Sequence, residues 1–334
     1  MTIFKTYDRE YLLSLTNERD GETKFGEKVQ VARSIDTLAT SDARYVLIGI
    51  PEDVGVRANH GRPGTASAWN NTLKALLNIQ SNAFTQPEKF LILGIVDCEQ
   101  EMLLAISTDN TTENYHSFLG KLVSIIDEKV TFVIQKVVEA GKIPIVIGGG
   151  HNNSYGNIKG SSQALGKPIH VLNFDAHSDF RYPEYRHSGN GFSYAFDENF
   201  LKNYFIFGLH QNYTSKEVFE RLNKNSQAVR YCLFEDICVK GKIDFDAALE
   251  QADSFVTNER FGLEIDLDAL QNIPASAKTP SGFSVNELRR FVSFFSKNKN
   301  LVYVHICEAA PKPNSDEEIL VGKLISYLIT DIQH

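Results

Sequence analysis

The sequence predicts an α/β fold: one domain on a parallel sheet of eight strands, with helices covering both faces. Eight short apolar runs recur along the 334 residues, and helical or loop segments separate them. Near-continuous apolar strands suit a sheet buried on both sides, and the intervening segments supply the crossovers that parallel pairing requires. No linker or break in composition divides the chain, so residues 1–334 read as a single domain.

The elements follow in order. Residues 1–40 are polar and mixed, and read as an N-terminal helical extension packed on the domain, with helices expected over 9–15 and 27–38. The first buried strand covers 45–50 and ends at Pro51. Gly55, Gly61, Pro63 and Gly64 then impose an irregular loop. A helix over 66–79 carries Trp69, Leu73, Leu76 and Leu77 on one face, and the second strand is 90–96. Residues 114–140 repeat apolar side chains at helical spacing, from Phe118 and Leu122 to Val137 and Val138, and Gly141 closes them as a C-terminal cap. Strands at 143–147, 169–174, 204–208, 229–234, 261–267 and 301–306 complete the eight. Ser315 and Glu318 have the spacing of a capping box that opens a last helix over 317–332.

Composition excludes several classes of function. Hydrophobic residues at 42% and charged residues at 23% describe an ordinary globular chain rather than a disordered one. The net charge of -8 opposes attraction to nucleic acid or an anionic membrane, so neither is expected as a partner. No run approaches the roughly 18 apolar residues of a membrane span, and the first ten residues lack a signal-peptide core, so a cytoplasmic location is expected. Cys98, Cys232, Cys238 and Cys307 form no Cys-x-x-Cys pattern and read as buried reduced thiols.

Chemistry concentrates at three strand ends. The strand over 143–147 runs into Gly148-Gly149-Gly150-His151, and the next ends in Asp175-Ala176-His177-Ser178-Asp179. Asp175, His177 and Asp179 alternate, so they would project from one side if the extended geometry continued. The strand over 261–267 repeats the spacing with Asp266 and Asp268. Four aspartates and two histidines make a hard, oxygen-rich donor set, suited to manganese or a related divalent ion rather than to a thiolate-bound structural zinc. With carboxylates able to bridge, six such donors can hold two ions about 3.5 to 4 Å apart. Two divalent ions neutralise the four aspartates, so a bridging hydroxide leaves the cluster anionic and suited to a cationic or proton-accepting electrophile. The Gly148–Gly150 turn lacks the Gly-x-Gly-x-x-Gly spacing of a dinucleotide site, which argues against a nucleotide-binding protein.

These motifs resemble those of the arginase, or ureohydrolase, superfamily. Its Gly-Gly-x-His is matched by residues 148–151, its Asp-Ala-His-x-Asp by 175–179 and its Asp-x-Asp by 266–268, in the same order, and the likeness runs from Ile48 to the C-terminus. The resemblance implies a three-layer α/β/α fold with a mostly parallel sheet of eight strands and two Mn(2+) ions per subunit, with Co or Zn also suited to the ligands. One ion is then expected on His151, Asp175, Asp179 and Asp266, the other on His177, Asp175, Asp266 and Asp268, with Asp175 and Asp266 bridging. In such a cluster a bridging water ionises near neutral pH and attacks an amidine-type carbon, while Asp179 orients it and relays a proton. Glu308 matches the family glutamate that holds the guanidinium or formimino group. Glu264 and Gln271 depart from the pattern, since many members have Ser and Asp there, which bears on the hydrogen bonds behind the ligands. Arginases and agmatinases carry a proton-shuttling histidine in the loop that spans 186–193 here. The nearest catalytic candidate is His187, on the other side of Ser188-Gly189-Asn190, so an arginase-type shuttle is not supported. A homo-oligomer, trimeric or hexameric, is also implied.

Within that superfamily, residues 55–64 are similar to the Gly-Val-x-x-Asn-x-Gly-Arg-x-Gly loop of formimidoylglutamases, and residues 208–214 to a second loop of that branch. Formiminoglutamate carries two carboxylates behind its formimino carbon, and Arg57, Arg62, Arg181 and Arg186 all lie in loops expected at the pocket mouth. Guanidinium forks match carboxylates bidentately. Asn59, Arg62, Arg181 and Asn190, with Glu308, are the candidate substrate contacts. The expected reaction is hydrolysis of N-formimino-L-glutamate to L-glutamate and formamide, in histidine breakdown. The alternatives are a guanidino substrate such as arginine, agmatine or a guanidino acid, giving urea, and an inactive metal-binding member of the family.

Overall fold

The chain builds a single ten-stranded sheet in the computed structural model, which describes residues 2–332. The strands are β1 (Phe4–Thr6), β2 (Gln30–Val31), β3 (Tyr45–Gly49), β4 (Phe90–Val96), β5 (Ile143–Ile147), β6 (Ile169–Phe174), β7 (Leu201–Leu209), β8 (Val229–Leu233), β9 (Phe261–Asp266) and β10 (Leu301–Cys307). The eight from β3 onward are the apolar runs of the sequence. They lie in the order β4-β3-β5-β10-β9-β6-β7-β8, and each pairs in parallel with its neighbours.

Alternate residues of each strand feed two apolar layers, as period-two patterning requires. Leu47, Ile145, Phe174, Leu263 and Ile306 pack on one side with the helices Ala68–Leu76, Phe245–Val256, Val285–Phe295 and Asp316–Asp331. Val46, Val146, Val171, Ile206 and Tyr303 pack on the other with the helices Tyr115–Glu139 and Ser154–Leu165. The three-layer α/β/α architecture follows from this division.

The first forty residues differ from expectation. A helix forms at Arg9–Ser14, but 27–38 breaks into a short helix Phe25–Lys28, strand β2 and a 3-10 turn Ile35–Thr40. β1 pairs antiparallel, and β2 parallel, with the outer edge of β4. An edge strand leaves unpaired amides and carbonyls, and the start of the chain satisfies them, overriding its helical propensity. At the other end, Ser315 caps the last helix through the Glu317 amide. Glu318 reaches the Asn314 amide instead of the Ser315 amide that a capping box needs. Cys238 is exposed, unlike Cys98, Cys232 and Cys307, and all four are free thiols. No helix among the described residues is long and apolar enough to cross a membrane.

The order of the strands places the site. β9 and β10 insert between β5 and β6, which are consecutive in the chain. Register keeps the carboxyl ends of these four central strands level: Ile306 pairs with Ile147, Cys307 with Asp266, and Ile265 with Phe174. Whatever follows them emerges at one rim, beside the point where strand order reverses.

Gly94 tests the attachment of the first strand. It sits at φ 133° in β4, opposite Thr6, and a Cβ there would lie 2.0 Å from the Lys5 carbonyl oxygen. Gly94→Ala is expected to lower stability by about 1–3 kcal/mol and to release β1, read as lost amide-exchange protection at residues 4–6. Unchanged protection there would refute this account of the edge.

Candidate metal centre

His151 reaches the rim through a turn that only glycine makes without strain. Gly148 and Gly149, at φ 91° and 72°, bend the chain back after β5. The buried carboxylate of Glu52 pins the turn by accepting from the Gly150 amide at 3.0 Å and from Asn153 Nδ2 at 2.7 Å. His151 then starts the turn into the helix Ser154–Leu165 and is completely buried.

The two Asp-x-ligand motifs use one local device. Asp175 Oδ1 accepts from the His177 amide at 2.6 Å, and Asp266 Oδ1 from the Asp268 amide at 2.8 Å. Each is an aspartate capping the backbone two residues on, which curls the chain as the strand ends. Asp175, His177 and Asp179 therefore do not continue as an extended strand. Asp179 sits at φ 44°, and the curl sends its carboxylate and the His177 ring to different groups of donors.

In the first group, His151 Nδ1 lies 3.2 Å from Asp175 Oδ2, 2.9 Å from Asp179 Oδ2 and 3.1 Å from Asp266 Oδ2. In the second, His177 Nδ1 lies 3.6 Å from Asp175 Oδ1 and 3.1 Å from Asp268 Oδ2. Asp175 thus gives one oxygen to each. Asp266 Oδ2 belongs to the first group, and its Oδ1 accepts from the Asp268 amide as Asp175 Oδ1 does from that of His177.

A divalent cation fits these residues. Donors at right angles around such an ion, each about 2.1 Å from it, sit roughly 3 Å apart, close to the spacings observed. His151 Nδ1 and Asp268 Oδ1 are buried without a properly directed hydrogen bond, a condition that ligation relieves; His151 Nε2 is also unpartnered and faces away from the aspartates. Burial, with Asp268 and Asp175 alongside, pushes the Asp266 carboxyl well up, and burial with Asp175 raises that of Asp179. A cation reverses that repulsion.

Glu308 follows β10 at φ 63°, a left-handed conformation unusual for a non-glycine residue. Its Oε1 accepts from the His151 amide at 2.6 Å, and its Oε2 from the Ser276 hydroxyl. Burial pushes its carboxyl up to about 8, although Ser276 opposes the shift. Glu308 lines a cavity of about 460 Å³, along with His177, Asp179, Asp266, Asp268, Asn59, Ser188, Arg181 and Tyr213. The inner end of this cavity is acidic. At its outer part, Arg181 Nη1 donates to Asn59 Oδ1 at 2.7 Å, Asn59 Nδ2 donates to Ser188 Oγ at 3.0 Å, and the Arg181 side chain keeps 53% of its exposure.

The other proposed contacts do not reach the cavity. Arg62 donates to the carbonyls of Ala275 and Ala310, strapping together the loops that carry Ser276 and Glu308. Arg57 pairs with Asp53, and Arg186 is buried against Asp127 and the Asn152 carbonyl. Asn190 spends its amide on Arg186, the His187 amide and the Tyr185 carbonyl. His187 is buried, with Nδ1 accepting from the Gly189 amide and Nε2 beside Glu184, and burial with Arg181 and Arg186 nearby lowers it to about 3. Both of its nitrogens are engaged, which leaves it as a strut of its loop rather than a shuttle. Ser276 and Glu52 carried no motif signal, because each is recognised only by the buried partner it meets in the fold. Gln271 is exposed, while Glu264 lies buried beneath His151.

The sequence profile of the arginase family matches residues 43–330. The formimidoylglutamase of Geobacillus sp. (strain WCH70) is 26% identical over 320 residues, which cover 92% of this chain and 90% of that relative. Formimidoylglutamase from Bacillus subtilis superposes with a TM-score of 0.74 at 17% identity, over 95% of this chain and 92% of that one. Trypanosoma cruzi formiminoglutamase with Mn2+2 gives 0.71 at 20% identity, over 93% and 98%. These structural likenesses show the fold.

The geometry predicts that a divalent cation added to the metal-free protein raises its melting temperature with concentration. The gain is about 2.7 kcal/mol at a hundredfold excess over Kd. Asp175→Ala removes the carboxylate common to both groups and is expected to abolish the response in a thermal titration. A wild-type response from that variant would place the cation elsewhere.

Proposed function

Because the chain belongs to the arginase family, we propose that it hydrolyses N-formimino-L-glutamate to L-glutamate and formamide, with two Mn(2+) ions held by His151, Asp175, His177, Asp179, Asp266 and Asp268. The observation that carries this reading is the polarity of the cavity. Four carboxylates, of Asp179, Asp266, Asp268 and Glu308, line its inner end, and Arg181 is the one arginine or lysine among the described lining residues. Such a site suits a molecule with a proton-accepting amidine at one end and carboxylate at the other. Agmatine, cationic at both ends, meets Arg181 as a like charge. The curated relative at 26% identity bears the formimidoylglutamase name, and the solved Trypanosoma cruzi formiminoglutamase contains Mn2+2; both support the choice.

When bound, the ions supply a water acidified enough to act as a nucleophile near neutral pH. The protein's residues do the rest. Glu308, fixed by Ser276 and the His151 amide, accepts hydrogen bonds from the amidine nitrogens and orients the amidine at the acidic end of the cavity. Arg181, braced by Asn59, pairs with a substrate carboxylate. Asp179 lines the cavity and carries the proton lost by the attacking water to the glutamate nitrogen as its bond to the formimino carbon breaks. Arg62 acts at one remove, holding the loops of Ser276 and Glu308 in register. We read the chain as one domain that works as a cytoplasmic homo-oligomer.

The test is product formation by Mn-loaded protein offered formiminoglutamate, arginine, agmatine and guanidino acids in parallel, with formamide, ammonia and urea scored separately. Formamide from formiminoglutamate alone is expected, whereas urea from a guanidino substrate would discard the substrate assignment and leave the metal site standing. Arg181→Ala removes a charge-assisted contact of about 1.5–3 kcal/mol. It is expected to raise KM roughly ten- to hundredfold with kcat little changed; a fall in kcat at constant KM would contradict the role given to Arg181.

A further inference from the structure

We propose that Glu264 is a positioning residue for the metal centre: clamped by Tyr303 and His305, it accepts the Nε2 proton of His151 and so fixes the ring to present Nδ1 to the ion. The proposal rests on the metal assignment above and deepens it.

Glu264 and His305 are direct cross-strand partners on β9 and β10. They share the sheet face that carries Tyr303, and all three side chains are completely buried. Tyr303 donates its hydroxyl to Glu264 Oε1 at 2.7 Å, and His305 Nδ1 lies 2.6 Å from Oε2. The other nitrogen of His305 is 3.3 Å from the carbonyl of Gly148, in the turn that delivers His151. Gly262 leaves room for the clamp, since a Cβ there would lie 2.1 Å from the Tyr303 ring.

The two nitrogens of His151 face opposite ways. Nδ1 meets the carboxylates of Asp175, Asp179 and Asp266, and Nε2 is 3.4 Å from Glu264 Oε2. An imidazole that ligates through Nδ1 carries its remaining proton on Nε2, and that proton needs an acceptor where no water reaches. Glu264 Oε2 stands 3.4 Å away without yet making a directed bond, its carboxylate oriented from the side by Tyr303 and His305, and ligation at Nδ1 aligns the Nε2 proton with it. The network therefore grips His151 twice, through its ring and through its turn. A plain ion pair joining β9 to β10 would need only His305; the approach of His151 Nε2 to the same oxygen gives the pair its second role.

Glu264→Gln keeps the volume and removes the charge. Manganese titration of the metal-free full-length protein, followed by EPR and by metal analysis of the desalted protein, separates the two ions. Wild type is expected to take up two ions per chain with an exchange-coupled spectrum. The variant is expected to lose about 10- to 100-fold in affinity for the ion on His151, and to show at limiting manganese the uncoupled spectrum of one ion beside His177 and Asp268. His305→Gln leaves Glu264 held by Tyr303 alone, and is expected to shift affinity the same way by less; it carries the test should Gln at 264 prevent folding. Two coupled ions bound with wild-type affinity in these variants would overturn the proposal. So would a variant that melts early without metal yet binds both ions normally, because the pair would then serve strand packing alone. Failure of wild type itself to take up two ions would sink the metal assignment, and this proposal with it.

Discussion

Like charges buried together repel, and the rim of this sheet holds four aspartates in two overlapping groups whose members lie 2.9–3.6 Å from the ring nitrogens of His151 and His177. In a low-dielectric interior such a cluster either takes protons or takes a cation. The rest of the molecule is arranged so that the second course is open. The side chains arrive already converged, Asp175 and Asp266 are each steadied by one backbone amide, and Asp268 Oδ1 and His151 Nδ1 are left without a competing partner. The fold does not create affinity here by closing around an ion; it withholds every other partner.

Convergence depends on the sheet. Carboxyl ends of adjacent parallel strands are level because register makes them so, and β5, β10, β9 and β6 each release one piece of the site at the same height. Local curls then aim the pieces. Asp179 and Glu308 both sit in left-handed backbone, a strain of about 1–3 kcal/mol each, and both touch the cavity. Glu308 is held there by the Ser276 hydroxyl and the His151 amide, and its loop by Arg62. Glu308, which lines the cavity, is thus locked to His151 of the first donor group, and a shift of either moves both.

What was legible in the sequence was local. Eight apolar runs gave the parallel strands, and a spacing of two between ligands gave the metal groups, because an aspartate that caps the amide two residues on needs no distant partner. The arginines were not legible. Arg57, Arg62, Arg181 and Arg186 look alike as loop cations, yet three of them are consumed by Asp53, by two carbonyls and by Asp127. Those partners lie four, more than two hundred, and fifty-nine residues away, so only the near one could be read along the chain. His187 and Asn190 were drawn inward in the same way. Residues 27–38 failed for the converse reason: part of that stretch pairs as a strand with the free edge of β4 instead of continuing as a helix.

Glu264 shows how a departure from a motif can be informative. Taken alone, a glutamate among the apolar residues of a central strand reads as a defect, since a lone buried carboxylate is expensive. Its neighbours on β10 remove the defect. Tyr303 and His305 stand on the same face, one directly across from it, and burial works against its charge while His305 and His151 hold the carboxyl down to about 2. A carboxylate so heavily satisfied is worth keeping only if its orientation matters, and the group it orients lies one step nearer the site. The position of His151 is therefore set from three sides: by the glycine turn behind it, by the aspartates in front, and by the pair of strands beneath. A substitution in the glycine turn or in the pair of strands should act on the ion through the ring of His151, without touching the ion; one among the aspartates removes a ligand directly.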